Sequence, residues 1–258
     1  MPTDLQLQDS SRHMEEKAWW DLWNSSYRSE DNRDKVSAEL FAHVAGISKQ
    51  IAGDPIDRVL EVACGTGTLS RQLNFSNYQG LDMSPAAIEI ARQKAASLEL
   101  PAGMNRPTYE AADFHNWAAP TEYFDLVLCV DAISCFRDQQ FALQKMAQIL
   151  LAGGIMILTT VNPLVYNRIR RVDGVKLENG PVSRWLSRSE LHQLVRGAGF
   201  TIMRSYTIMP RGNMGFLRVV NSSKLNRALG RQGAAIFRRL KECSGWGQYR
   251  VLVARKEA

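Results

Sequence analysis

The stretch that decides the fold is Val59-Leu-Glu-Val-Ala-Cys-Gly-Thr-Gly-Thr-Leu-Ser70, an apolar run that ends in a glycine-rich turn. The β-branched residues Val59 and Val62 favour a buried strand. Gly65 and Gly67 let the backbone come close to a ligand, and the first turn of a following helix would point unpaired N–H groups at it. The stretch therefore predicts a strand, a tight turn and a helix, with a polar-ended ligand against the turn.

The turn alone leaves other interpretations open. The same strand, turn and helix hold the pyrophosphate of dinucleotides, but that fingerprint has a third glycine three residues after the second. Ser70 occupies this position, which disfavours a dinucleotide. A purely structural turn between a core strand and its helix remains an alternative on this stretch alone.

Segments of alternating strand and helix character follow the turn. Residues 78–85 predict a second strand with Asp82 at its tip, after which Ser84 can cap a helix that Pro85 begins. The other predicted elements are strands at 108–114, 123–131 and within 150–158, a helix from 187, a sixth strand near 200 and a last strand at 248–254. This alternation predicts a mostly parallel sheet with helices on both faces.

In order and spacing, these segments resemble the class I S-adenosylmethionine-dependent methyltransferases. The resemblance spans roughly residues 58–208 and the last strand. It implies an α/β fold with a Rossmann-like, doubly wound sheet of seven strands, mostly parallel with an antiparallel last strand. It further implies N-terminal helices, a helical insertion before the last strand, and S-adenosyl-L-methionine as the cofactor.

The resemblance also implies which residues bind the cofactor. Asp82 matches the carboxylate that accepts hydrogen bonds from the ribose hydroxyls, and Asp113 matches the acceptor of the adenine amino group. Phe114 lies where the family packs a side chain against the adenine ring, and Tyr27 would approach the methionine end. The remaining expected contacts lie at the turn and at neighbouring strand ends: Glu61, Ala63, Cys64, Gly65, Gly67, Met83 and Val130.

The sequence departs from the family in two places. Ala63 stands where the family has its first small glycine, so the turn must adopt a backbone that alanine tolerates. Residues 135–136 (Cys-Phe) and 183–185 (Ser-Arg-Trp) stand where many relatives place histidines near the acceptor. We expect the first departure to leave cofactor binding intact, and the second argues against a histidine-based mechanism.

Asp131, at the predicted tip of the fourth strand, is the candidate catalytic residue. A carboxylate at this position could take the proton of an acceptor hydroxyl as a general base. The alternative, a hydrogen bond to the following loop or to the cofactor, stays open. The cysteines show no metal-ligand spacing, so no metal is predicted.

We expect residues 1–52 to form an N-terminal tail and helical cover, and residues 53–258 to form the cofactor-binding methyltransferase domain. Insertions at 162–186 and 210–246 follow strand ends, where open α/β sheets bind ligands, so both should wall the acceptor pocket. The first contains Arg168, Arg170 and Arg171. A lid whose arginines contact an anionic acceptor is one interpretation, and a solvated basic face is the other.

Composition limits the partners. The chain has 258 residues and a formal net charge of +6, which fits an anionic small-molecule acceptor or peripheral contact with an acidic membrane surface. Nucleic acid is disfavoured as a partner because the chain has no recognisable recognition module. No apolar run is long enough to span a membrane, and four cysteines without metal spacing indicate a reduced, cytoplasmic location.

The predicted function is that of an S-adenosylmethionine-dependent methyltransferase acting on a small or medium-sized acceptor. The expected acceptor atom is an oxygen of a sugar, a lipid-linked compound or a secondary metabolite. An RNA methyltransferase and a non-catalytic S-adenosylmethionine-binding protein are the alternatives. The identity of the acceptor and the oligomeric state do not follow from the sequence.

Overall fold

A computed structural model describes residues 17–18, 35–165, 184–208, 223–243 and 245–257. Strands and helices alternate along most of these ranges. The strands are β1 (Ile56–Val62), β2 (Phe75–Asp82), β3 (Thr108–Ala111), β4 (Phe124–Val130), β5 (Leu150–Val161), β6 (Phe200–Ile208) and β7 (Tyr249–Lys256). The helices are α1 (Lys35–Ala52), α2 (Pro85–Ala96), α3 (Gln139–Ile149), α4 (Arg188–Gly197), α5 (Ser223–Ala228) and α6 (Gly230–Cys243).

The seven strands form one sheet in the order β3-β2-β1-β4-β5-β7-β6. All neighbouring pairs from β3 to β5 are parallel, and β7 runs antiparallel to both β5 and β6. The predicted doubly wound sheet with an antiparallel last strand is therefore confirmed. The chain proceeds to opposite sides from β1 and β4, which makes their carboxyl ends the switch point where such sheets bind ligands.

Each face of the sheet has its own apolar core. On one face, Val59 and Leu128 pack with Val44 of α1 and Ile88 of α2. The opposite core contains Leu60, Leu143 and Met146 of α3, and Leu191 and Val195 of α4. The central strands are apolar on both faces because helices cover both, as expected for a parallel sheet.

Two helices begin as their sequences predict. The Ser84 hydroxyl accepts a hydrogen bond from the Ala87 N–H at the start of α2, with Pro85 in the first helical position. At α4, Ser187 and Glu190 form a reciprocal capping box. Both caps satisfy backbone N–H groups that have no partner within the helix.

Three predicted elements differ in extent. The helix expected after the glycine turn is only a 3-10 turn, Leu69–Gln72, because β2 already begins at Phe75 and the Ser70 hydroxyl bonds back to the Gly67 carbonyl. β3 ends at Ala111, so Asp113 lies in the following loop. The helical insertion expected before the last strand is divided at Gly230, which has a φ of 62°.

Several predictions concern residues outside the described ranges. These include Tyr27, Arg168, Arg170 and Arg171, and the 210–222 part of the second insertion. The domain boundary at residue 52 stays a prediction. Among the described helices, none is both long and apolar enough to cross a membrane.

Candidate functional site

The two glycines of the turn face different surroundings. Gly65 has a φ of 53°, and a Cβ atom placed there would meet nothing within 4 Å. Gly67 has a φ of 68°, but a Cβ atom there would lie 2.7 Å from the Tyr109 hydroxyl. Only Gly65 therefore presents bare backbone to open space, as a ligand-binding turn requires, whereas Gly67 makes room for a tyrosine of the protein itself.

Ala63 adopts the left-handed conformation that the family's glycine would favour, with a φ of 58°. For a residue with a Cβ atom this conformation costs on the order of 1 kcal/mol. Next to it, the Cys64 N–H donates to the Leu81 carbonyl at 2.8 Å, which ties the turn to the end of β2. The alanine is thus accommodated in a backbone that the surrounding structure fixes.

Asp82 connects the end of β2 to the glycine turn. Its Oδ2 accepts a hydrogen bond from the Gly65 N–H at 2.8 Å, and its Oδ1 accepts one from the Ser84 N–H at 2.9 Å. An ionised carboxylate has about four lone-pair positions, so it can accept these backbone bonds together with hydroxyl bonds. Asp82 is partly exposed, which suits the ribose contact predicted for it.

Asp113 lies at the same edge of the sheet and is held by several donors. Its Oδ1 accepts from the His115 N–H at 3.0 Å, and its Oδ2 accepts from Asn116 and from the Arg137 guanidinium at 3.0 Å. Burial alone would raise the pKa of Asp113, but hydrogen bonds from His115 and the nearby Arg137 charge lower it to about 2. The carboxylate is therefore ionised and can accept only, as an adenine amino group requires.

Phe114 is more deeply buried than a residue lining an open cleft. Its side chain is 4% exposed and packs beside Trp117 and Phe136, with ring centroids 6.4 and 6.0 Å away. The Lys145 ammonium lies 5.3 Å from the Phe114 ring centroid. The expected contact with the adenine ring stays a prediction, and the structure shows Phe114 buried beside Trp117 and Phe136.

Four buried polar side chains form two hydrogen-bonded pairs next to the glycine turn. Tyr78 donates a hydrogen bond to the Glu61 carboxyl, and the Tyr109 hydroxyl lies 2.6 Å from the Ser70 hydroxyl. Burial raises the pKa of Glu61 to about 8, although the Tyr78 bond counteracts it. Glu61 is thus buried against Tyr78 rather than exposed at the turn. Sequence reasoning missed both tyrosines, and the only signal was an aromatic residue on each of the strands β2 and β3.

Asp131 follows β4 at the same level as the glycine turn that follows β1. Val62 is opposite Cys129 in the register, so the chain leaves both strands side by side. The Asp131 N–H donates to the carbonyl and hydroxyl oxygens of Thr159. Asp131 has a positive φ of 55°. Burial raises the pKa of Asp131 to about 7, opposed by a hydrogen bond from the Val161 N–H.

The other two predicted contacts border this switch point. Val130, the last residue of β4, is buried, and Met83, after β2, is partly buried. In the part of the chain that the structure describes, no group of three or more His, Cys, Asp or Glu side chains could hold a metal ion. The structure thus brings together Gly65, Asp82 and Asp131 at one edge, with Asp113 close to Asp82 at the end of β3.

A buried network that sequence reasoning missed lies at the carboxyl end of β5. The Asn162 side chain donates to the carbonyls of Gly245 and Gly247, and its Oδ1 accepts from the Arg250 guanidinium at 2.8 Å. The Arg250 Nη1 is buried and has no hydrogen-bond partner among the residues that the structure describes. Asn162 is therefore a structural residue that joins β5 to the start of β7.

Comparison with known proteins extends these observations. A family described as a methyltransferase domain matches residues 25–205. Phthiotriol/phenolphthiotriol dimycocerosates methyltransferase 1 of Mycobacterium ulcerans (strain Agy99) is 30% identical over 208 residues, which cover 79% of this chain and 69% of that protein. Ubiquinone biosynthesis O-methyltransferase of Shewanella sp. (strain ANA-3) is 26% identical over 189 residues, covering 69% of this chain and 75% of that protein.

A solved structure shows the same fold. It comes from the complex between the Trm112 methyltransferase activator of Haloferax volcanii and a methyltransferase. The TM-score is 0.64 at 16% sequence identity, and the alignment covers 94% of this chain and 98% of that one. At this identity the likeness supports the fold, while the family match extends to the activity.

Proposed function

The chain belongs to the methyltransferase domain family as a class I S-adenosylmethionine-dependent enzyme, and we propose that it methylates a hydroxyl oxygen of a lipid-linked or similarly apolar small molecule. The observation that carries this proposal is the position of Asp131. Asp131 directly follows β4 and lies beside the glycine turn that follows β1, at the switch point of the sheet.

The residues present fit the cofactor. Gly65 offers backbone without a side chain in its way, Asp82 is oriented by two backbone N–H groups, and Asp113 is ionised. We assign the ribose hydroxyls to Asp82 and the adenine amino group to Asp113. S-adenosyl-L-methionine supplies an electrophilic methyl carbon on its sulfonium. The task left to the chain is to align the acceptor, exclude water and receive a proton.

Asp131 has the properties of the proton acceptor. A hydroxyl benefits from a general base, whose pKa is best placed near the working pH, and burial raises the pKa of Asp131 to about 7. The Val161 N–H holds the carboxylate in place. The names of the two relatives support the acceptor class, since one acts on phthiotriol compounds and the other is an O-methyltransferase of ubiquinone biosynthesis.

The substitution Asp131→Asn tests the role of the carboxylate. Asparagine tolerates a positive φ about as well as aspartate, so the variant removes the base without straining the backbone. We expect turnover to fall by about a hundredfold or more, cofactor affinity to stay nearly unchanged, and the rise in rate through about pH 7 to disappear. An unchanged pH profile would leave the reaction dependent on positioning alone.

Labelled cofactor identifies the acceptor class. The protein is incubated with S-adenosylmethionine labelled in the methyl group and with lipid, aqueous and RNA fractions of the cell that it comes from. We expect alkali-stable label in the lipid fraction, because an ether survives the alkali that hydrolyses a methyl ester. Label confined to the RNA fraction would overturn the proposal.

A further inference from the structure

The helix pair formed by α5 and α6, residues 223–243, has an exposed apolar face. Leu229, Ile236 and Leu240 are 40%, 63% and 60% exposed. Ile236 and Leu240 are four residues apart on α6, so with about 100° between successive helical residues they lie roughly 40° apart around the helix. Leu229 directly precedes α6 and lies beside it, because a Cβ atom on Gly233 would be 3.1 Å from the Leu229 Cβ. A helix face turned only toward water would present polar residues at these positions.

The same helix pair carries most of the net charge of the chain. It contains six basic residues and a single acidic one, Glu242, a net charge of +5 out of +6 for the whole protein. Lys224, Arg227 and Arg239 are exposed. The basic residues are Lys224, Arg227, Arg231, Arg238, Arg239 and Lys241.

The apolar face is connected to the acceptor end of the sheet. α6 ends at Cys243, and the carbonyl of Gly245 accepts a hydrogen bond from the Asn162 side chain just after β5. Leu164 and Trp246, which lie near this junction in the sequence, are also exposed. The surface therefore continues from the helix pair toward the edge where the acceptor must enter.

We propose that the helix pair docks the enzyme on an anionic lipid bilayer, with Leu229, Ile236 and Leu240 entering the interface and the basic residues contacting acidic headgroups. An apolar helix face combined with a strong basic excess fits this one partner, because the apolar residues supply burial and the charges supply attraction. The consequence for the reaction rests on the proposed lipid-linked acceptor, which would be methylated where it resides.

Co-sedimentation of the full chain with vesicles tests the docking. The vesicles contain either phosphatidylcholine alone or phosphatidylcholine with phosphatidylglycerol, at low and at high salt. We expect binding to the anionic vesicles only, weakened by salt because added ions screen the attraction. The assay needs neither cofactor nor acceptor, so its result is independent of the labelling experiment. Vesicle binding can be absent while a lipid fraction is methylated, and vesicle binding can be present while no lipid is methylated.

Variants assign the binding to the helix pair. The double variant Ile236→Ser/Leu240→Ser should lower the vesicle partition coefficient by about tenfold or more. Arg239→Gln should lower it by about fivefold at low salt. Phe141→Ser removes an apolar side chain of α3 that is 43% exposed and should leave vesicle binding unchanged. Cofactor affinity and circular dichroism confirm that each variant is folded.

Three results would overturn the proposal. The first is equal vesicle binding by the double serine variant and the parent. The second is equal binding to neutral and anionic vesicles. The third is that the parent is a dimer by light scattering and the double serine variant is a monomer, while neither the parent nor the variant binds vesicles. That result would assign the apolar face to contact between two copies of the chain.

Discussion

A Cβ atom at Gly65 would project into open space, whereas one at Gly67 would collide with Tyr109. The sequence presents both glycines as parts of a single motif, but their substitution must therefore have different consequences. At Gly65 the loss falls on the ligand, and at Gly67 it falls on the packing of the protein. Binding and stability can thus be separated within a stretch of three residues.

We predict that Gly65→Ala weakens S-adenosylmethionine binding by at least about tenfold, because the added methyl group enters the space in front of the turn. Gly103→Ala is the matched control, since Gly103 also has a positive φ with nothing within 4 Å of its Cβ position. Both variants should lose about 1 kcal/mol of stability. Calorimetric titration then separates them, and equal affinities in the two variants would remove Gly65 from the site.

Asp82 should matter for the cofactor and for the turn together. Asp82→Ala is expected to weaken cofactor binding by on the order of 2–4 kcal/mol, because the ribose hydroxyls lose a charged acceptor and the Gly65 N–H loses its partner. Asp57→Ala removes an exposed carboxylate in β1 and serves as the control. Parent-like affinity of the Asp82 variant in calorimetry would contradict the assignment.

At the scale of elements, capping residues predict where helices begin and apolar periodicity predicts which segments are buried strands. Ser84 and Ser187 mark helix starts through local hydrogen bonds, and apolar runs mark the strands of a sheet buried on both faces. The short 3-10 turn after Thr68 was missed because its length depends on where β2 begins. The support of Gly67 by Tyr109 was missed because that contact joins residues far apart in the chain.

The junction of β5 and β7 shows the same limit at Asn162. Its side chain satisfies the carbonyls of Gly245 and Gly247 and the Arg250 guanidinium at once. None of these partners is near Asn162 in sequence, so no local pattern could indicate the network. The buried amide instead fixes how the antiparallel last strand enters the sheet at the carboxyl end of β5.

Asn162→Ala is therefore predicted to lower the free energy of unfolding by about 3 kcal/mol or more, since it leaves a buried guanidinium and two carbonyls without partners. Asn105→Ala, the same change at an exposed residue, should stay within about 0.5 kcal/mol of the parent. Denaturant titration measures both. A combined Asn162→Ala/Arg250→Met variant should recover part of the lost free energy of unfolding. If it recovers none, the unpaired charge of Arg250 is not the main cause of the destabilisation.

At the scale of the whole molecule, the buried carboxyl groups link folding to pH. Burial raises the pKa of Glu61 to about 8 and that of Asp131 to about 7. The unfolded chain releases these protons near pH 4, so the native state binds more protons between about pH 4.5 and 8. Stability from these groups is complete below the unfolded pKa and is lost as the pH rises through the native values.

We predict that the Tm falls by several degrees between pH 5 and 8 and that Glu61→Gln flattens this decline. Glutamine keeps an acceptor for the Tyr78 hydroxyl but cannot ionise, so the variant removes the titration while retaining the hydrogen bond. Glu99→Gln, at an exposed carboxylate, is the control for the loss of a negative charge. Thermal unfolding followed by circular dichroism gives the slopes. A decline that is equally steep in Glu61→Gln and in the parent would show that the buried Glu61 carboxyl does not couple folding to pH.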